Sequence, residues 1–105
     1  MTKIMSYEDN YFYICEKTQQ KTVIYGAGSY AKRAFPYLKN VAYVCDRRAD
    51  QIGTLKGISV ISPEELATIQ EALLVVICIK EEKARAEVKS QLQSLLANAY
   101  IFDYF

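Results

Sequence analysis

The sequence contains no histidine and only three cysteines among its 105 residues. Histidine is the commonest general base and the commonest metal ligand, so its absence excludes the usual catalytic triads and most zinc sites. Cys15, Cys45 and Cys78 are far apart and form no CxxC pair, so we expect reduced thiols, with Cys45 and Cys78 as small core residues. Any catalysis would have to use tyrosine, lysine, cysteine or carboxylate side chains.

Long apolar runs and an excess of charge are also missing. The longest apolar run, residues 72–79, is far shorter than the roughly 20 residues that cross a bilayer, and the polar N-terminal residues do not resemble a secretory signal. A net charge of +1 gives no general attraction to nucleic acid or anionic membranes. We therefore expect a cytoplasmic globular protein with no membrane span and no nucleic-acid partner.

Strand-like and helix-like patterns alternate along the sequence. Apolar residues at helical spacing predict an amphipathic helix over residues 7–18. Runs of β-branched and aromatic residues predict strands at residues 22–25, 41–45, 58–61, 73–79 and 100–105. Further helices are predicted at residues 29–40, 63–70 and 80–97, and Pro36 predicts a kink or tightened turn inside the first of these.

This order of elements predicts the α/β class. Strands that alternate with helices favour a parallel sheet with right-handed crossovers. We therefore predict a Rossmann-like, doubly wound, mostly parallel sheet of about five strands with helices on both faces. Residues 1–21, an N-terminal helix and connector, are expected to precede a Rossmann-like nucleotide-binding domain at residues 22–105. Residues 47–57 are expected to form a loop.

A glycine turn follows the first predicted strand. Residues 26–31 have the form G-x-G-x-x-A, in the strand-turn-helix context that the dinucleotide-binding motif requires. In such a motif Gly26 allows a sharp turn, Gly28 allows a phosphate to approach the backbone, and a small Ala31 lets the helix pack closely. The free N–H groups of Ser29 and Tyr30, with the helix dipole, favour an anion. The alternative is that the glycines only form a tight turn.

Charged residues follow the second and fourth predicted strands. Asp46 lies about 20 residues after Gly26, where the dinucleotide motif places an acidic residue on the ribose hydroxyls. An acid there favours NAD over NADP, although Arg47 and Arg48 are placed to accept a 2′-phosphate. Lys80 is expected near a bound diphosphate. The alternatives are a strand-end turn residue for Asp46 and solvated surface residues for the three cations.

Aromatic residues are concentrated at both ends of the chain. They are Tyr7, Tyr11, Phe12 and Tyr13 near the start and Tyr100, Phe102, Tyr104 and Phe105 near the end. Core packing is one interpretation. The other is an oligomer interface, because the last strand is expected to be a sheet edge. A homodimer through these aromatic ends is therefore an alternative partner prediction.

Several of these segments together resemble a recurring bacterial module. Residues 23–28, Asp46, residues 57–66 and residues 75–77 are similar to the N-terminal Rossmann-like domain of bacterial nucleotide-sugar acyltransferases. They are equally similar to the NAD-binding part of polysaccharide-biosynthesis nucleotide-sugar dehydratases. The resemblance covers about residues 22–104 and implies a nucleotide site at Gly26, Gly28, Ser29 and Asp46. Arg47 departs from the second acidic residue that is frequent in such modules, and no partner catalytic domain is present in the sequence.

We therefore expect a nucleotide-binding module of bacterial surface-polysaccharide biosynthesis that is not catalytic by itself. The expected ligand is NAD or a UDP- or CMP-sugar. The predicted binding residues are Gly26, Ala27, Gly28, Ser29, Tyr30, Asp46, Arg47 and Lys80. Three alternatives stay open: a fragment of a nucleotide-sugar-modifying enzyme, an interaction module with a vestigial site, and a coenzyme A-binding domain.

Overall fold

Seven strands form one sheet in the computed structural model, which describes residues 2–105. The strands are β1 (Lys3–Ser6), β2 (Lys21–Tyr25), β3 (Val41–Cys45), β4 (Thr54–Leu55), β5 (Ile58–Ile61), β6 (Leu73–Ile77) and β7 (Ala99–Asp103). Their order across the sheet is β1-β7-β6-β2-β3-β5-β4. All neighbours are parallel except β4 and β5, which confirms the predicted α/β class and the mostly parallel sheet.

Five α-helices connect the strands. They are α1 (Tyr7–Thr18), α2 (Ser29–Ala34), α3 (Ala49–Ile52), α4 (Pro63–Ala67) and α5 (Glu82–Leu95). A 3-10 turn at Phe35–Tyr37 continues α2, because Pro36 cannot supply an amide hydrogen to a continuing α-helix. α4 begins with a capping box, in which Ser62 and Glu65 bond to each other's backbone N–H. No helix within residues 2–105 is long and apolar enough to cross a membrane.

The core consists of two apolar clusters on opposite faces of the sheet. One contains Ile24, Val44, Leu74 and Val76 together with Tyr11 of α1, Ala31 of α2 and Ala49 of α3. The other contains Val23, Val75 and Ile77 together with Leu66 of α4 and Val88 and Leu92 of α5. Since neighbouring residues of a strand point to opposite faces, the continuous apolar runs of β2 and β6 supply both clusters.

The predicted count of about five strands omits two short ones. β1 has only four residues, three of them exposed, so its sequence carries little strand signal until it pairs with β7. β4 and β5 form a hairpin whose turn residues, Lys56 and Gly57, both have positive φ, as a two-residue type I′ turn requires. The loop expected at residues 47–57 therefore contains α3 and β4.

The aromatic residues from the two ends of the chain pack against each other. Tyr7 stacks on Tyr11 and contacts Tyr104, with ring centroids 5.1 and 5.0 Å apart, and Phe102 meets Tyr11 edge-on at 5.4 Å. Tyr11 and Phe102 are fully buried. The expectation that the last strand is a sheet edge was wrong, because β1 pairs with the outer side of β7.

The hydroxyl group of Tyr11 connects three parts of the fold. It lies 2.9 Å from the Thr22 hydroxyl, accepts a 2.9 Å hydrogen bond from the Lys39 N–H and donates to the Lys39 carbonyl. These bonds join α1 to β2 and to the segment before β3. Buried polar groups are costly when they lose their partners, so this hydroxyl holds α1 in register with the sheet.

We expect Tyr11→Phe to lower the free energy of unfolding by about 1–3 kcal/mol, because it leaves the Lys39 N–H and the Thr22 hydroxyl without their buried partner. Urea denaturation followed by circular dichroism measures this. Tyr13→Phe is the matched control, since Tyr13 is 63% exposed, and it should change stability by less than about 0.5 kcal/mol. Equal effects of the two substitutions would contradict this role of Tyr11.

Candidate functional site

A cleft of about 530 Å³ opens at the carboxyl ends of β2, β3 and β6. β2 leads into α2 on one face of the sheet, whereas β6, its neighbour, leads towards α5 on the other face. The two connecting segments diverge, and a crevice forms between them, as is general at such positions in parallel sheets. Its volume lies within the roughly 300–1,000 Å³ range of small-molecule sites.

All eight residues predicted to bind a cofactor line this one cleft. They are Gly26, Ala27, Gly28, Ser29, Tyr30, Asp46, Arg47 and Lys80. The sequence interpretation named Arg48 only as a partner for a 2′-phosphate. It omitted Tyr25 and one wall of the cleft, which Ala84, Glu87 and Val88 of α5 form. Glu87 and Val88 lie three and four residues after Ala84, a spacing that places all three on one helix face. Only the packing of α5 shows that this face borders the cleft.

Gly26 is required by the fold itself. Its φ is +98°, a backbone conformation that L-residues other than glycine rarely adopt. A Cβ at this position would lie 3.0 Å from Cγ1 of Ile79 and 3.4 Å from the Cys78 carbonyl oxygen. The Gly26 N–H donates a 2.8 Å hydrogen bond to the Cys45 carbonyl. This glycine therefore brings β2, β3 and the segment after β6 into close contact.

Gly28, in contrast, is not required by the fold. Its φ of −100° and ψ of −160° are accessible to any residue, and an added Cβ would meet no atom within 4 Å. A side chain here would project into open space beside the cleft. Because Gly28 has no side chain, a molecule in the cleft can approach its backbone. The missing side chain is not needed for internal packing.

Three backbone amides at this turn have no acceptor. Within residues 2–105 the N–H groups of Gly28, Ser29 and Tyr30 make no hydrogen bond, although the Gly28 carbonyl accepts one from Lys32. α2 has only six residues, so its dipole is small and the N–H groups themselves are the main attraction for an anion. The side chains of Arg47 and Lys80 add positive charge to the same cleft.

The carboxylate of Asp46 fixes the glycine turn to the end of β3. One oxygen accepts a 2.8 Å hydrogen bond from the Ala27 N–H, and the other accepts one from the Arg48 N–H and pairs with Arg48 Nε at 3.3 Å. Burial by itself raises the pKa of the Asp46 carboxyl, but these hydrogen bonds and the Arg48 charge outweigh burial and hold the pKa below its ordinary value.

This geometry gives Asp46 a structural role beside the predicted ribose contact. Its side chain is only 10% exposed, whereas that of Arg48 is 62% exposed. A ribose hydroxyl would reach the carboxylate by displacing the exposed Arg48 guanidinium rather than the Ala27 N–H. The structure thus includes the strand-end turn role that the sequence left open, and the ribose role stays a prediction.

The loop that carries Lys80 is held by Arg85. The Arg85 guanidinium donates to the carbonyls of Ile79 and Lys80 at 3.2 and 2.8 Å and pairs with Asp103 of β7 at 2.9 Å. The Lys80 ammonium is exposed and lies 5.8 Å from the centre of the Tyr30 ring. Lys80 is therefore placed at the rim of the cleft on a fixed backbone.

The buried cysteines near the cleft are not nucleophiles at neutral pH. Burial raises the pKa of the Cys78 thiol to about 12, and burial together with the charge of Asp46 raises that of Cys45 to about 12. Only the thiolate attacks substrates or binds metals. Both thiols therefore act as small apolar groups, as their positions in apolar segments predicted.

Comparisons of the chain with protein-family models, with curated proteins and with solved structures gave no match. Within residues 2–105 no group of three or more His, Cys, Asp or Glu side chains is arranged to hold a metal ion. The polar groups of the cleft are its backbone amides, the Tyr25 hydroxyl, the cations Arg47, Arg48 and Lys80, and the carboxylates of Asp46, Glu81 and Glu87.

The two glycines of the turn should respond differently to alanine. We expect Gly26→Ala to lower the free energy of unfolding by about 2 kcal/mol or more, because of its positive φ and the contact with Ile79. Gly28→Ala should change it by less than about 0.5 kcal/mol. Urea denaturation of both variants measures the difference, and a destabilised Gly28→Ala protein would contradict this assignment.

We also expect a specific pH dependence from Asp46. A carboxyl whose pKa is lowered by folding stabilises the native state above its unfolded pKa of about 3.9, and this contribution is lost as the pH falls through the folded pKa. Asp46→Asn should therefore cost about 1–3 kcal/mol at pH 7, and its difference from the wild type should shrink below about pH 4. Denaturation curves at pH 3–7 test this.

The matched control for that series is Asp50→Asn, because Asp50 is an exposed carboxylate on α3. It should stay close to the wild type at every pH. A difference between the wild type and Asp46→Asn that is independent of pH would show that the charge of Asp46 does not stabilise the turn.

Proposed function

We propose that this chain is a nucleotide-binding module whose glycine turn binds the diphosphate of a nucleotide-sugar or of NAD. The observation that carries the proposal is Gly28, which the fold does not require but which leaves a bare backbone at the cleft. A residue without a side chain at such a position allows a ligand to approach the backbone closely.

The charges around the turn favour a diphosphate over a neutral ligand. Three unpaired N–H groups at residues 28–30 and the side chains of Lys80 and Arg47 are donors that suit phosphate oxygens. Three carboxylates line the cleft, at Asp46, Glu81 and Glu87. Asp46 pairs with Arg48 and accepts from the Ala27 N–H, and Glu81 accepts from the Ala84 N–H, so these two repel an anion less than free carboxylates would.

The proposal includes a doubly wound, Rossmann-like arrangement of the sheet. It is supported by the reversal of strand order between β2 and β6, by the apolar clusters on both faces and by the position of the glycine turn directly after β2. In sheets of this type the ligand lies across the crevice where the strand order reverses, and the cleft lies at this position.

We propose binding rather than catalysis as the role of this chain. The sequence has no histidine, and the thiols of Cys45 and Cys78 are protonated at neutral pH. The resemblance to modules of nucleotide-sugar acyltransferases and dehydratases supports a place in bacterial surface-polysaccharide biosynthesis, in the cytoplasm. In that interpretation the module presents a nucleotide-sugar, or holds NAD, for a catalytic domain.

The experiment is a thermal-shift and calorimetric titration with NAD, a UDP-sugar and a CMP-sugar. Ligand that binds only the native state raises its stability, by about 2.7 kcal/mol at one hundred times the dissociation constant. We expect one of these ligands to raise the unfolding temperature of the wild type. Gly28→Ala, which keeps the fold, should bind at least about tenfold more weakly because its methyl group occupies the approach to the backbone.

Gly53→Ala is not a suitable control, because the φ of Gly53 is +79°. Asp50→Asn is a suitable control, because Asp50 is exposed and does not line the cleft. This variant should bind the ligand as tightly as the wild type does. Absence of binding of all three ligands to the wild type at millimolar concentration would contradict the proposed function.

A further inference from the structure

One buried polar group in the cleft has no partner, and the proposed diphosphate site does not use it. Tyr25 is the last residue of β2 and is only 2% exposed. Its hydroxyl is buried and makes no hydrogen bond to any other residue within 2–105. Buried hydroxyls almost always have a partner, so one that the protein leaves unpaired at the border of a cleft is available to a bound molecule.

The Tyr25 side chain lies on the face of the sheet that α5 covers. It belongs to the apolar cluster that contains Val88, and Ala84 and Val88 of α5 line that side of the cleft. The free amides of residues 28–30 lie at the start of α2, which packs on the opposite face. The cleft therefore has an amide-rich end and a second end with the apolar walls of Ala84 and Val88, where Tyr25, Arg47 and Glu87 are the polar groups.

Arg47 is the charged residue beside this hydroxyl. Burial, together with the neighbouring Cys45 thiol, raises the pKa of the Tyr25 phenol. The Arg47 guanidinium, which lies close to the hydroxyl but outside hydrogen-bonding geometry, only partly opposes that effect, so the hydroxyl is protonated at neutral pH. The exposed Arg47 guanidinium donates instead to the Gln91 side chain at 3.3 Å. An exposed arginine held by one long, solvated bond is free to move aside.

Resting on the proposed function, we propose that the Tyr25 hydroxyl is a specificity-determining group that hydrogen-bonds the nucleobase of the bound nucleotide. A base is planar and apolar on its faces, which suits the walls formed by Ala84 and Val88. Its edge carries ring nitrogens and exocyclic groups that pair with a phenol as donor or acceptor. Arg47 moves from Gln91 as the base enters and exposes the hydroxyl.

A base fits this end of the cleft better than the sugar or the diphosphate. A sugar presents several hydroxyls, each of which needs a polar partner when it is buried, whereas this wall offers Tyr25, Glu87 and apolar groups. A diphosphate at this end would lie on the wall that carries the Glu87 carboxylate, away from the free amides of residues 28–30. A nucleotide that spans the cleft places each chemical group at the end that suits it.

Tyr25→Phe tests the inference, because it removes only the hydroxyl. We would titrate the wild type and this variant by calorimetry with ADP, UDP, CDP and inorganic pyrophosphate, which has no base. The wild type should bind one nucleoside diphosphate more tightly than pyrophosphate. Tyr25→Phe should weaken that nucleotide roughly fivefold, the equivalent of about 1 kcal/mol, and leave pyrophosphate binding unchanged.

The stability of the unliganded variant separates this role from a structural one. Because the hydroxyl has no partner in the protein, Tyr25→Phe should unfold at the same temperature as the wild type or higher. Asp50→Asn serves again as the control for binding. A variant that binds the nucleotide as tightly as the wild type, or that loses pyrophosphate equally, would overturn the role of Tyr25 while the proposed function stands. A wild type that binds neither nucleotide nor pyrophosphate would overturn both.

Discussion

The hydrogen bond from the Ala27 N–H to the Asp46 carboxylate is the interaction on which the cleft depends. It joins the glycine turn after β2 to the end of β3, two points that the chain separates by a helix and a strand. The same carboxylate is held by Arg48 from the other side. Because both oxygens are engaged, the turn keeps one shape, and the amides that follow it stay exposed at the cleft. The Asp46 carboxylate therefore holds the turn in place, and the same hydrogen bonds leave it fewer free positions for a ligand.

The two glycines of the turn have different roles: Gly26 serves the fold and Gly28 serves the cleft. Gly26 has a left-handed backbone and lies against Ile79 and Cys78, so it determines how closely three strands meet. Gly28 has an ordinary backbone and an empty neighbourhood, so its contribution concerns what reaches the protein from outside. Tyr25, one position before Gly26, is again different, since its side chain fills the core while its hydroxyl has no partner there. Within four residues, Gly26 thus provides close packing, Tyr25 an unpaired polar group, and Gly28 access to the backbone.

The two ends of the chain stabilise the sheet through part of their aromatic residues, whereas Phe12, Tyr13 and Phe105 are exposed. β1 pairs with β7, and the rings of Tyr7, Tyr11, Phe102 and Tyr104 pack where α1 crosses these strands. The Tyr11 hydroxyl extends this contact to β2. β7 in turn carries Asp103, which pairs with Arg85 and Lys89 of α5. The segments farthest apart in the sequence therefore support the loop that places Lys80 at the cleft.

Local patterns in the sequence were enough to predict the α/β class, most element positions and the grouping of eight residues in one cleft. These patterns are apolar periodicity and the glycines directly after a strand. Three features could be found only from the folded chain, because each depends on a partner far away in the sequence: the strand at residues 3–6, the internal position of β7 and the bond between Asp46 and Ala27. The unpaired hydroxyl of Tyr25 is another feature that the sequence could not predict. A tyrosine in a strand looks like any core residue until its neighbours are known.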